Sequence, residues 1–228
     1  MAVTVQSVID RVQAVLQDTS GVRWPVAAEL VLWVNDAQRE IALLKPDATA
    51  TNETITLATG TKQSIPTGGN RLLRVVRNMS AASGGTGKRS VRLVAREILD
   101  AQTPDWHDPS VTGDASHTNL VKHYVYDEQN PRNFYVYPGV SGNAYLEIVY
   151  SANPATVTAS DNLSVGDIYA NAVMNYVLYM AYMKDAEFAG NAQRAGGHYQ
   201  IFAAQVGGKG QIDAITNPNA DLARPAMA

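Results

Sequence analysis

Apolar residues recur at helical spacing at the start of the chain: Val5, Val8, Ile9, Val12, Val15 and Leu16. Steps of three and four place them on one face of a helix over residues 5–16, with Thr4 positioned to cap its start and Gly21 to end it. A second helix is predicted from Pro25, whose fixed φ suits a first turn, to Pro46, which stops it. Its stripe is Ala27, Leu30, Val34, Ala37, Ile41 and Leu44, as in a helix packed antiparallel on a partner.

The period changes after Asp47. Residues 51–57 alternate and read as a strand, as do 62–65, 72–79 and 88–94, with turns at Pro66, Gly68 and Gly69 and a glycine-rich tip at 83–87. Residues 95–101 suit one or two helical turns, and 103–119 read as loop. The clearest hairpin pairs residues 123–126 with 134–137, two Tyr-Val-Tyr runs around an Asn130-Pro131 turn. Residues 144–150 add another strand.

Helical spacing returns at Ser164, where Asp167 three residues on resembles a capping box. Residues 165–187 are apolar on most faces, through Ile168, Ala172, Val173, Tyr176, Val177, Met180 and Met183. A helix of that kind needs neighbours on several sides. A fourth helix is predicted over 190–206, weakened by Gly196 and Gly197. Beyond Gly207-Gly208 no period continues. The predicted fold class is therefore α+β. A four-helix bundle drawn from both chain ends (1–48 and 160–206) carries an inserted antiparallel, β-rich, sandwich-like module (49–159) and an extended C-terminal arm (207–228). Since four helices are complete at Val206, a chain cut there is expected to fold.

Of 228 residues, 46% are hydrophobic and only 17% charged, below the roughly 25% common in soluble domains. Low charge fits a protein that hides part of its surface in an oligomer. The net charge of -3 and pI near 5.8 do not suit a nucleic-acid binder. The chain has no cysteine, which excludes disulfides and thiolate metal sites. The N-terminus lacks the basic start and apolar core of a signal peptide, and no stretch approaches a membrane span, so no membrane partner is expected.

Chemistry-bearing motifs are few. Gly84-Gly85-Thr86-Gly87-Lys88-Arg89 lacks both the spacing of a phosphate loop and a following helix, and reads as a hairpin tip. Asp105, His107, Asp108, Asp114 and His117 share a loop without metal-ligand spacing. No catalytic, cofactor or metal residue is assigned. Arg71, Arg74, Arg77, Lys88, Arg89, Arg92 and Arg96 form a basic run, which suits a solvated face, a protein partner or DNA phosphates. Tyr124, Tyr126, Tyr135 and Tyr137 suit cross-strand packing or, if exposed together, a carbohydrate- or receptor-binding trough.

Three segments carry a resemblance: residues 29–41 (ELVLWVNDAQREI) with Lys45-Pro46-Asp47-Ala48, the HYVYD and FYVYP strands around Asn130-Pro131, and residues 181–188 (AYMKDAEF). Taken in this order they resemble tailed-phage head-to-tail adaptor (connector) proteins, and more loosely the tail tubular protein A group. Gly196 and Gly197 depart from that likeness, which leads to a continuous helix there.

The resemblance implies a structural virion protein and no enzyme. It implies a homo-oligomeric ring, dodecameric, docked below the portal protein in the neck and joined to a downstream tail or nozzle protein. Double-stranded DNA would pass through the channel without sequence-specific binding, and assembly would occur in the host cytoplasm. Tyr176, Met180 and Met183 are expected to include a residue buried between subunits or at the outer seam of the bundle. Arg39 and Glu40, with Asn35, Asp36 and Gln38, give the second helix a polar flank for intersubunit pairs or for solvent. Ile212, Ile215 and Leu222 are the expected anchors of an arm docking on the portal.

Overall fold

The computed structural model describes residues 2–188 and 190–216, the side chains of 214–216 excepted. Two compact units form: one from residues up to Thr49 and from Pro154 onward, the other from Ala50–Asn153. The chain is α+β, with five α-helices and two mainly antiparallel sheets among the described residues.

In the first unit, helix α1 spans Val5–Leu16 and buries Val5, Val8, Ile9 and Val12. Thr4, in extended conformation, caps it by accepting from the Ser7 amide at 3.2 Å. Two further amides at this end, which a helix leaves without partners, donate to the returning chain: Val5 to the Asp161 carbonyl and Gln6 to the Ala159 carbonyl. The helix ends on Gln17, in the left-handed region at φ 55°, before the expected Gly21. The turn that follows is organised by Asp18, whose carboxylate accepts from the Val22, Arg23 and Trp24 amides. Those bonds, the one from Trp24 foremost, hold its pKa below the usual carboxylate value.

A π-helical turn, Val26–Leu30, leads into α2, Val31–Leu44. Leu30, Val34, Ala37 and Ile41 are buried as the pattern requires. Both ends of the stripe fail: Ala27 lies in the π turn, where an extra residue shifts the register, and Leu44 is exposed. Helix α4 spans Ala170–Lys184 and α5 spans Asn191–Thr216. Residues of α1, α2, α4 and α5 meet in one core with Val157, Leu163 and Val165 of the returning chain.

Three expectations are corrected here. The seam back into the helical unit falls at 153/154, not 159/160, because Val157 is buried in the helical core and bonded to Asn35. Ser164 and Asp167 form no capping box. The Ser164 hydroxyl donates to Gln38 and the Ala155 carbonyl, Asp167 accepts from the Val3 amide, and α4 begins only at Ala170. Finally, the chain does not leave the helix at Gly207. Helix α5 continues through Gly207, Gly208 and Gly210 to Thr216, although each glycine costs about 1 kcal/mol relative to alanine.

In the second unit, strands β1 (Ala50–Thr56), β2 (Gly60–Ser64), β3 (Gly69–Met79), β4 (Gly87–Ser90) and β5 (Arg92–Leu93) lead to helix α3, Arg96–Gln102. Strands β6 (His123–Tyr126), β7 (Asn133–Val140) and β8 (Tyr145–Ala152) follow. The sheet orders are β1-β8-β3-β4 and β2-β7-β6-β5; all pairs are antiparallel except β5 with β6. One core takes Ile55, Leu72, Val75, Leu146 and Ile148 from the first sheet and Tyr124, Phe134 and Val136 from the second.

The residues alternating with these, Val125, Tyr135 and Tyr137, face the other way. There Leu99 of α3 and the fully buried Trp106 cover them. The Asn78 side chain closes this unit's core, bonding the Val121 amide and carbonyl and the Arg89 carbonyl.

Candidate interaction surfaces

Two buried amide side chains, Asn35 and Gln38, decide what α2 can offer a partner. Asn35 is buried; its amide nitrogen donates to the Val31 and Val157 carbonyls at 2.9 and 3.0 Å, and its oxygen accepts from the Val157 amide at 2.8 Å. Gln38 is fully buried, and its oxygen accepts from the Ser164 amide and hydroxyl at 2.6 and 2.9 Å and from the Val165 amide at 3.3 Å. These two residues staple the returning chain to α2 and so do not belong to a polar flank. The sequence signal for them was present: both fall beside the buried stripe of Val34, Ala37 and Ile41.

The true flank is Asp36, Arg39 and Glu40. Arg39 is exposed and satisfied within the chain, pairing with Asp36 at 3.0 Å and reaching the Thr156 hydroxyl at 3.4 Å. Glu40 is half-buried. Together with Asp36 it lies close enough to Tyr176 to add to the upward push that burial gives that phenol. Tyr176 is half-buried in an aromatic seam between α4 and α5, its ring 5.2 Å from Phe202 and 5.8 Å from Tyr179. Tyr199 bridges Tyr179 and Phe202, and His198 stacks on Tyr182 at 5.6 Å.

Met180 is half-buried and Met183 is 46% exposed. The helical unit exposes further apolar side chains outside the expected interface set, among them Leu43 at 73%, Ile168 at 68% and Phe188. Helix α4 is thus less enclosed than its composition suggests: Ala172, Val173, Val177, Leu178 and Ala181 fill its buried side.

Ile212 is 59% exposed and lies elsewhere, on the lip of an apolar groove of about 380 Å³ between the start of α4 and the last turns of α5. Ile168, Tyr169, Ala172, Ala204 and Gly208 line it too. The Ile215 side chain and all of Leu222 lie outside the described residues. What anchors this end of α5 is charge. The buried Lys45 ammonium bonds Asp47 and Asp213, each at 2.8 Å, and Lys209 also pairs with Asp213. Burial opposes the Lys45 charge, but the two carboxylates outweigh it and raise its pKa, while the bonds from Lys209 and Lys45 lower that of Asp213.

In the second unit the hairpin tyrosines are occupied by packing. Tyr124 is buried between the sheets, and Tyr135 and Tyr137 are half-buried, each with its ring edge to Trp106. They form no open trough. In the loop of Asp105, His107, Asp108, Asp114 and His117, the Asp108 carboxylate accepts from the Ser110 amide and hydroxyl. His107 bonds the Thr61 hydroxyl at 2.7 Å, and the His117 ring lies so close over Gly139 that any side chain there would displace it. Among the described residues no three His, Asp or Glu side chains group as metal ligands, and no helix is long and apolar enough to cross a membrane. The glycine-rich segment links β3 to β4 as a hairpin tip.

Three imidazoles carry lowered pKa values. Burial is the first cause for each; Arg96 adds for His107, and Arg89, Arg92 and Lys122 add for His123, whereas burial alone acts on His198. A depressed folded pKa means that the unfolded chain takes up the proton first. The stability these groups contribute is full above 6.5, their ordinary value, and is lost as pH falls through the depressed folded values. The melting temperature is therefore expected to drop as pH falls below 6.5, the ordinary value of these groups. His123→Tyr should flatten that slope in thermal melts, and an unchanged slope in that variant would remove His123 from the account.

The sequence model of the SU10 adaptor protein family matches residues 3–222. No curated protein matches the chain.

Proposed function

Because this chain belongs to the SU10 adaptor protein family, whose members are head–tail adaptors of tailed phages, we propose that it is a ring-forming subunit placed directly below the portal. A structural adaptor family of this kind is not known for enzymatic activity. In our reading, twelve copies close a ring in the virion neck, dock on the portal protein above and on a tail or nozzle protein below, and continue the channel through which double-stranded DNA passes. The ring assembles in the host cytoplasm. The helices from both chain ends act as one four-helix bundle that packs side by side around the ring, and the two sheets act as a sandwich-like module directed to other components.

The observation that carries this reading is the apolar surface left open on the helical unit: Leu43, Ile168, Met183 and Ile212 are each about half exposed or more. A side chain of that kind gains roughly 1.5–3 kcal/mol when fully buried, so each of these exposed places favours contact with a neighbour. A ring supplies the missing burial through a heterologous contact repeated until it closes.

The test is the native mass of the purified protein with and without portal. Wild type is expected to give a closed ring on the portal. Met183→Asp is expected to keep the wild-type melting temperature, since the position is exposed, and to lose ring formation at least tenfold by placing an unpaired charge in the interface. Rings of normal mass and yield from that variant would remove Met183 from the interface. A wild-type chain that stays monomeric on portal would sink the ring.

A further inference from the structure

The charges of the β unit are sorted in sequence, and Arg71, Arg74 and Arg77 keep that separation in space, whereas Arg89 and Arg92 lie near His123 at the other sheet. Residues 71–94 hold six Lys or Arg and no acid, whereas 97–118 hold five Asp or Glu and no Lys or Arg. In β3 the register against β8 slips at 69/71, at 72/74 and at 75/77. A strand normally alternates every two residues, but a slip at each third step changes the period. Leu72, Val75 and Asn78 are buried, and Arg71, Arg74 and Arg77 line the opposite face of the sheet. Arg77 pairs with Glu147 at 2.6 Å and lies against Gly87, where a Cβ would collide with its guanidinium. Arg71 and Arg74 make no ion pair among the described residues.

The acidic stretch lies on the far side of the same unit. Helix α3 and the loop after it cover the outer face of the β2-β7-β6-β5 sheet through Leu99 and Trp106. Their Glu97, Asp105 and Asp114 are exposed and make no ion pair among the described residues. Two packed sheets alone separate these surfaces by about 10 Å, more than the roughly 8 Å Debye length at physiological salt. The two charge sets therefore do little to neutralise each other within one copy.

We propose that the β unit of one copy binds that of the next through these opposite faces, the arginine face of one against the carboxylate face of the other. This rests on the ring reading above and adds its second contact. A two-fold dimer would bring like charges together, whereas a head-to-tail array joins unlike faces at every step. Binding of DNA would use the arginine face and leave the acidic one without a role.

The experiment reverses each face in the full chain: Arg71→Glu with Arg74→Glu, and Glu97→Lys with Asp105→Lys and Asp114→Lys. Self-association is read by sedimentation velocity at low and physiological salt, with melting curves to show that each variant is folded. Each reversed variant should self-associate about tenfold more weakly than wild type or worse. A mixture of the two should associate, the chain carrying both reversals should recover, and added salt should weaken wild type. Either single-face variant associating like wild type would overturn the pairing, as would a folded double reversal that fails to recover. Duplex DNA binding lost with the arginines while self-association is unchanged would assign that face to nucleic acid instead. Failure of the wild-type chain to self-associate at either salt, alone or on portal, would sink the ring and this pairing together. Normal rings from the variants would sink only the pairing.

Discussion

Asn35→Leu is expected to lower the unfolding free energy of the helical unit by about 3 kcal/mol, although the substitution is close in size and better suited to a helix. The asparagine completes two backbone groups of Val157, its amide and its carbonyl, in a place closed to water. Leucine would leave both unpaired, at about 1–3 kcal/mol each. Water cannot enter without opening the core where Val157 is packed with α1, α2, α4 and α5. Denaturant titration followed by tryptophan fluorescence checks this, because Trp24 is buried in the same core. A loss under about 1 kcal/mol would mean that the returning strap detaches at little cost. Serine at the same position should be almost as damaging, since its hydroxyl is too short to reach both groups.

Periodicity made the alternation of architecture legible. The steps of three and four in α1 and α2, and the two Tyr-Val-Tyr strands, were enough to separate a helical part drawn from both ends from a sheet part between them, because burial on one face is what sets each period. Three features escaped for the same reason, that pattern reads only apolar positions. Asn35 and Gln38 looked like surface because they are polar, yet their partners are backbone groups 122 and 126 residues away in sequence. The serine and aspartate before α4 fitted a local capping motif, but longer-range bonds to Gln38 and Val3 claimed them first. Arg71, Arg74 and Arg77 read as part of one basic run with Lys88, Arg89, Arg92 and Arg96, and only the slipped register of β3 sets these three on one side of their sheet. Of the expected interface residues, Tyr176 and Glu40 come together beside the α4–α5 seam, whereas Met183 and Ile212 mark separate exposed places.

Ending the chain after Val206 is expected to cost about 2 kcal/mol of stability, against the reading in which four helices are complete at that point. The buried Lys45 ammonium needs both carboxylates, and the cut removes Asp213 while leaving Asp47. Asp213→Asn should also destabilise the chain, through the same ammonium. Lys45→Met in the shortened chain should recover most of the loss, because removing a buried charge together with its partner is far less harmful than stranding it. The pH dependence has a definite sign. Lys45 titrates above its ordinary 10.5, so its contribution is present below that value and fades as pH rises through the raised one. Asp213 titrates below its ordinary 3.8, so its contribution is present above that value and fades as pH falls through the lowered one. Between those limits the latch holds, and the difference between full-length and shortened chains should stay constant. A second cut, after Thr216, separates stability from docking. It keeps the Lys45–Asp213 pair and should melt like the full chain, yet it removes Leu222, one of the three proposed portal anchors, and should attach to portal at least tenfold more weakly. Full portal attachment after that cut would dismiss Leu222 as an anchor. Unchanged melting after the Val206 cut would dismiss the latch.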